Sequence, residues 1–90
     1  MRAILAKARF RRDLRRVVKQ GRDKAQLSYV IECLQTDRPL EPRHRPHRLS
    51  GDWSGWWECH IAPDWLLIYR INAHEELELA RTGSHADLFE

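Results

Sequence analysis

The sequence predicts an α+β fold: one small domain in the order β-α-α-β-β-β, with a helical hairpin packed on a twisted antiparallel sheet. Three observations predict it. Two successive N-terminal stretches carry apolar residues at helical spacing, the apolar period falls to two after Gly55, and short turns separate the strand-length runs that follow. Ninety residues allow a single modest core, so residues 1–90 form one domain.

Arg2 to Lys7, centred on Ile4 and Leu5, suits a short first strand. Phe10, Leu14, Val17 and Val18 then share one helix face, and Gly21 supplies a C-terminal stop. Asp23 with Gln26 resembles a capping box that opens a second helix, striped by Leu27, Val30, Ile31 and Leu34. From Thr36 to Gly51 the periodicity lapses, with Pro39, Pro42 and Pro46 among arginines and histidines, which reads as an extended basic connector. Beyond it, Trp57, Cys59 and Ile61 alternate with Trp56, Glu58 and His60. Trp65 to Ile71 is the next strand, Asn72 to Glu75 a turn, and Glu76 to Thr82 the last strand. Strands joined by such short turns are antiparallel.

The net charge is only +3, yet its distribution is uneven. Residues 1–24 hold Arg2, Lys7, Arg9, Arg11, Arg12, Arg15, Arg16, Lys19, Arg22 and Lys24 against Asp13 and Asp23. Such a cluster suits a polyanion or an acidic partner, with Arg12, Arg15 and Arg16 as docking cations. No run approaches the roughly 18 apolar residues of a membrane span, and no signal-peptide block opens the chain. Cys33 and Cys59 read as reduced residues of a cytoplasmic protein. No paired Cys or His spacing of a zinc site occurs, so neither metal nor cofactor is expected.

The residues suited to chemistry cluster at predicted strand ends: His47, His60, Asp64 and His85, with Arg81 as a cation and Phe89 four residues past His85. Two histidines that flank a phosphodiester can act as base and acid. In RNA the 2′-OH can then attack the adjacent phosphorus, and no metal is required. His44 and His74 are read as bystanders, one in the basic loop and one in a turn. Trp53 and Trp56, in a Gly/Ser-rich turn, are candidates for stacking on a base.

These residues also form an ordered pattern: His47-x-Leu49-x-Gly51, Gly55, His60-Ile61-x-Pro63-Asp64-Trp65-Leu66-Leu67-Ile68-Tyr69, then Arg81-Thr82-Gly83-Ser84-His85-x-x-Leu88-Phe89. The pattern resembles the YafQ branch of the RelE/ParE toxin superfamily over essentially the whole chain. The resemblance implies a type II toxin that cuts A-site codons of mRNA on the ribosome and is silenced by a cognate antitoxin. It implies His47, His60, Asp64 and His85 as the catalytic set, with Arg81, Trp65 and Phe89 as substrate-binding or site-shaping residues. The implied partners are the antitoxin, mRNA and the 70S ribosome with its 16S rRNA, with the toxin monomeric when free and in a larger complex with antitoxin. A basic residue common in that family shortly before the His60 position is absent, and Trp56-Trp57 stand there. The alternative is a ParE-like toxin that inhibits DNA gyrase without cleaving anything, since a shared fold leaves function open.

Overall fold

The computed structural model describes residues 1–89. It contains β1 (Ile4–Ala6), α1 (Ala8–Lys19), α2 (Lys24–Gln35), β2 (His47–Arg48), β3 (Trp57–Ala62), β4 (Trp65–Ile71), β5 (Leu77–Gly83) and α3 (His85–Phe89). The strands form one sheet in the order β1-β5-β4-β3-β2. The β2–β3, β3–β4 and β4–β5 pairs are antiparallel. β1 lies parallel to β5, because the helix pair carries the chain across the sheet before the meander begins, so the sheet is mixed at that edge.

Two elements go beyond the expected order. The basic connector folds into a 3-10 turn (Pro42–His44) and the two-residue β2, which adds a fifth strand. The tail closes as α3. Both are too short for a periodic signal to reveal.

Helix α1 starts without a side-chain cap and ends where Gly21 takes φ +83°, which lets the amides of Gly21 and Arg22 bond the carbonyls of Val18 and Val17. Asp23 caps α2 by accepting from the Ala25 amide at 3.0 Å. Both helices cover one sheet face. Phe10, Val17, Leu27 and Val30 pack there on Cys59, Ile61, Trp65, Leu67, Tyr69, Leu77 and Leu79. Burying each such large side chain stabilises the fold by roughly 1.5–3 kcal/mol. Val18, expected on that face, is exposed, and Asp13 takes the inward position.

The opposite face carries a smaller cluster of Leu66, Ile68, Ala80 and Leu88, covered in part by Leu49, Trp53 and Trp56. Trp53 and Trp56 meet edge to face at 5.8 Å, and the Arg70 guanidinium lies 4.1 Å from the Trp56 ring, so both indoles already have protein partners. Among the described residues, no helix is long and apolar enough to cross a membrane.

Candidate active site

Three strand and helix ends converge at the β2 edge of the sheet. Residue His47 pairs with Glu58 across β2 and β3, and His60 pairs with Leu66 across β3 and β4. The register then slips, so that Ala62 faces Trp65 and Ile61 is the extra residue of a bulge. Such a bulge twists the strand and re-aims its side chains. The tight β3–β4 turn brings Asp64 beneath α3, whose first residue is His85.

The result is a row of rings. The centroid of His60 lies 6.4 Å from that of His47 and 6.1 Å from that of His85, and Phe89 stands 6.4 Å beyond His85. Asp64 Oδ1 accepts from both the backbone amide and Nδ1 of His85, each at 3.2 Å. These bonds, the amide first, hold the Asp64 carboxyl below its usual range. Since a carboxylate only accepts, Nδ1 of His85 carries a proton and Nε2 is the ring nitrogen left for substrate.

At the other end of the row, His47 Nδ1 donates to the Arg45 carbonyl at 2.9 Å, and Nε2 meets Glu58 Oε1 at 3.1 Å. With Nδ1 committed, Nε2 is the ring nitrogen of His47 that faces Glu58. Glu58 is buried, and its Oε2 has no hydrogen-bond partner among the described residues. A buried carboxylate beside an imidazole in this row belongs to the site. Alternation put Glu58 on the same strand face as His60, but its contact with His47 comes from the β2–β3 pairing, which only the fold shows.

The other expected site residues divide. Phe89 is exposed beside His85, available to a base. Two expected substrate contacts lie instead inside the protein. Arg81 is buried and bidentate to Asp13, with Nε 2.6 Å from Oδ2 and Nη2 3.1 Å from Oδ1, so a phosphate cannot reach it without breaking that pair. The register of β5 slips at Ala80, between Leu79 and Arg81, so the alternation of Leu77 and Leu79 does not carry to Arg81. Trp65 is 1% exposed in the main core, where Nε1 donates to Thr82 Oγ1 at 2.9 Å and Arg22 covers its ring. It supports the β3–β4 turn from within. His44, read as a bystander, is buried behind His60 and donates from Nδ1 to the His60 carbonyl at 2.7 Å. His74 stays in an exposed turn. Arg16, read as a docking cation, is turned inward to Asp13, the Thr82 carbonyl and Asp87.

The short α3 is anchored well beyond its length. The Ser84 amide donates to Asp87 Oδ2 and the Asp87 amide to Ser84 Oγ, both at 3.1 Å, a reciprocal cap around His85. Leu88 plugs into the smaller cluster. Gly83, at φ +151°, leaves room for Arg16, since a Cβ there would stand 2.7 Å from Arg16 Nη2. Cys59 is inert: burial, helped by the charge of Glu58, pushes its thiol up to about 12.

The family described as "Bacterial toxin of type II toxin-antitoxin system, YafQ" matches residues 2–90. The chain belongs to this family. It is 35% identical over 81 residues to the mRNA interferase toxin YafQ of Escherichia coli K12, covering 89% of this chain and 87% of that protein. YafQ in the E. coli DinJ–YafQ toxin–antitoxin complex superposes with a TM-score of 0.88 at 33% identity, covering 99% of this chain and 98% of that one. A metal-bound toxin from Helicobacter pylori superposes with a TM-score of 0.92 at 41% identity, covering 99% of this chain and 100% of that one. The chain is thus a type II toxin with the YafQ fold. In this toxin, no three or more His, Cys, Asp or Glu side chains among the described residues are grouped so as to hold a metal ion.

Because Asp64 and Asp87 both titrate below the usual range in the folded toxin, each contributes stability above the unfolded carboxylate value of about 4. That contribution is lost as pH falls through the lower folded values. The Asp64→Asn variant is expected to show a shallower fall of melting temperature on acidification than wild type, read by circular dichroism from pH 6 down to pH 2. Parallel curves would show that the His85 contact adds nothing to stability.

Proposed function

We propose that this toxin is a ribosome-dependent endoribonuclease, an mRNA interferase that cleaves A-site codons by metal-independent attack of the 2′-OH and so arrests translation. The observation that carries the reading is the row His47–His60–His85 with Asp64 bonded to its last member. A phosphodiester laid over His60 has one imidazole at each end. The His47–Glu58 pair takes the 2′-OH proton, and the oxygen attacks phosphorus. The 5′-oxygen then leaves with a proton from His85, which gives a 2′,3′-cyclic phosphate and a free 5′-OH. His60 and Asp64 orient the nucleotide and the acid. Exchanging the labels of base and acid leaves the atom balance unchanged.

Membership of the YafQ family and the interferase activity named for its E. coli relative support this reading over gyrase inhibition. By analogy with the DinJ–YafQ complex, the partner that silences the toxin is a cognate antitoxin. The exposed Arg9, Arg12, Arg15 and Lys19 of α1 supply the sequence-independent attraction that 16S rRNA of the 70S ribosome would meet. On this reading the toxin acts in the cytoplasm, monomeric when free and in a larger assembly with antitoxin.

Primer extension on a defined mRNA in translating ribosomes tests the reading. Cleavage at A-site codons is the expected result. Intact mRNA with stalled growth and damaged DNA would favour the gyrase reading.

The Glu58→Gln variant keeps an acceptor oxygen beside His47 but removes the carboxylate that can take a proton, at nearly constant shape. Its single-turnover rate is expected to fall about tenfold, the scale of one strong hydrogen bond in a polar network, with little change in ribosome affinity. An unchanged rate would remove Glu58 from the proton path.

A further inference from the structure

Beside His60, on the side away from α3, the protein has a cleft of about 390 Å³ bounded by Gln26, Arg43, Arg45 and the run from His60 to Pro63. We propose that this cleft is a phosphate subsite, in which Arg43 and Arg45 hold the phosphate of a nucleotide next to the scissile bond. The inference rests on the ribonuclease reading and extends it to how the mRNA strand is held.

Four observations support it. First, His60 is shared: its ring stands in the row of imidazoles and the residue also lines the cleft, so a strand that crosses His60 passes from one to the other. Second, the reaction requires a cation near the phosphates, and Arg81 is buried on Asp13 and unavailable. Third, the two arginines of the cleft are held by a fixed element. His44 lies between them in sequence, is 3% exposed, and locks the 3-10 turn to β3 through its 2.7 Å bond to the His60 carbonyl. Arg45 takes a left-handed φ of 44° that turns its carbonyl onto His47 Nδ1. The segment that carries both cations therefore contacts two histidines of the row. Fourth, both guanidinium groups are free to engage an anion. Arg43 and Arg45 are exposed, and among the described residues the one ion pair of Arg43 is a 3.4 Å surface pair with Glu41. Exposed pairs of that kind are weak, whereas two planar forks on one phosphate are strong and directional. The volume falls at the small end of ligand sites, about 300–1,000 Å³, as suits a single phosphate group and its sugar.

The test is a single-turnover cleavage assay on ribosomes programmed with mRNA carrying one uncharged methylphosphonate, placed at each phosphate flanking the cut in turn. Wild type is compared with an Arg43→Ala/Arg45→Ala double variant, whose thermal unfolding should match wild type because both side chains are exposed. At one flanking position the methylphosphonate is expected to slow wild type about tenfold or more, the effect of losing a charge-assisted contact. The double variant, already slowed by a similar factor on native mRNA, is expected to show no further loss at that position. Equal slowing of both proteins at every position would overturn the subsite, as would a double variant as fast as wild type. If wild type leaves native mRNA intact, the ribonuclease reading itself falls and takes the subsite with it.

Discussion

Replacing His85 by alanine is expected to lower the single-turnover cleavage rate by about 10²–10⁴, the range attributed to one general acid or base. The fold should be unaffected. His85 is exposed, and α3 keeps its place through the Ser84–Asp87 cap and Leu88, none of which uses the imidazole. Affinity for the ribosome should also hold, because the basic face of α1 lies on a different element, so the loss should appear in the rate constant. Asp64 acts through His85, which makes the two substitutions non-additive. Removing Asp64 from a protein that already lacks His85 should cost little more, whereas removing it alone should slow the reaction by misorienting the ring. The check is a set of single-turnover time courses for wild type, both single variants and the double variant. An Asp64→Ala/His85→Ala rate equal to the product of the single losses would separate the two residues.

The second large effect concerns stability. Asp13 is 2% exposed and accepts from Arg81 Nε and Nη2, from Arg16 Nη1 at 3.1 Å and from the Thr82 amide at 3.2 Å. Asp13→Ala leaves a buried guanidinium without its counter-charge and an amide without its acceptor. Breaking one side of such a pair costs about 3–5 kcal/mol. In a domain of this size that corresponds to a melting temperature lower by well over ~10 °C. A companion variant, Asp13→Leu with Arg81→Met, removes both charges and is expected to recover most of the loss, since apolar replacements of buried ion pairs are often neutral. Calorimetry of the three proteins decides it, and a shift under ~2 °C for Asp13→Ala would mean that solvent reaches Arg81.

The same pair shows where the sequence was legible and where it was not. Alternation and helical spacing placed α1, α2, β3, β4 and β5 because each has a buried face long enough to carry a period. Asp13 broke the expectation for α1. It sits between Phe10 and Val17 on the inward face, where an acidic residue looks out of place until its partner, 68 positions away, is known. Arg81 lies just past a register slip in its strand, so alternation does not reach it, and nothing local names Asp13 as its partner. The connector was read as irregular, yet it holds a 3-10 turn and β2, and the bonds that tie it to the site reach across the fold: His44 to His60 and His47 to Glu58. Local patterns carry no information about such bonds, which is why Glu58 and His44 emerged only with the fold. His47, His60, Asp64 and His85 were named by spaced motifs, and the structure brings the four side chains together at the strand ends.

The central claim is that this site cuts RNA through the substrate's own 2′-OH. It is tested most directly by placing a single 2′-deoxynucleotide immediately 5′ of the cut in an mRNA on programmed ribosomes, and mapping the products. Cleavage is expected to vanish with the deoxy substitution, and the unmodified mRNA to yield an upstream fragment ending in a 2′,3′-cyclic phosphate. Continued cleavage of the deoxy mRNA, with a 3′-hydroxyl on the upstream fragment, would contradict it and move the attacking group from the RNA to water.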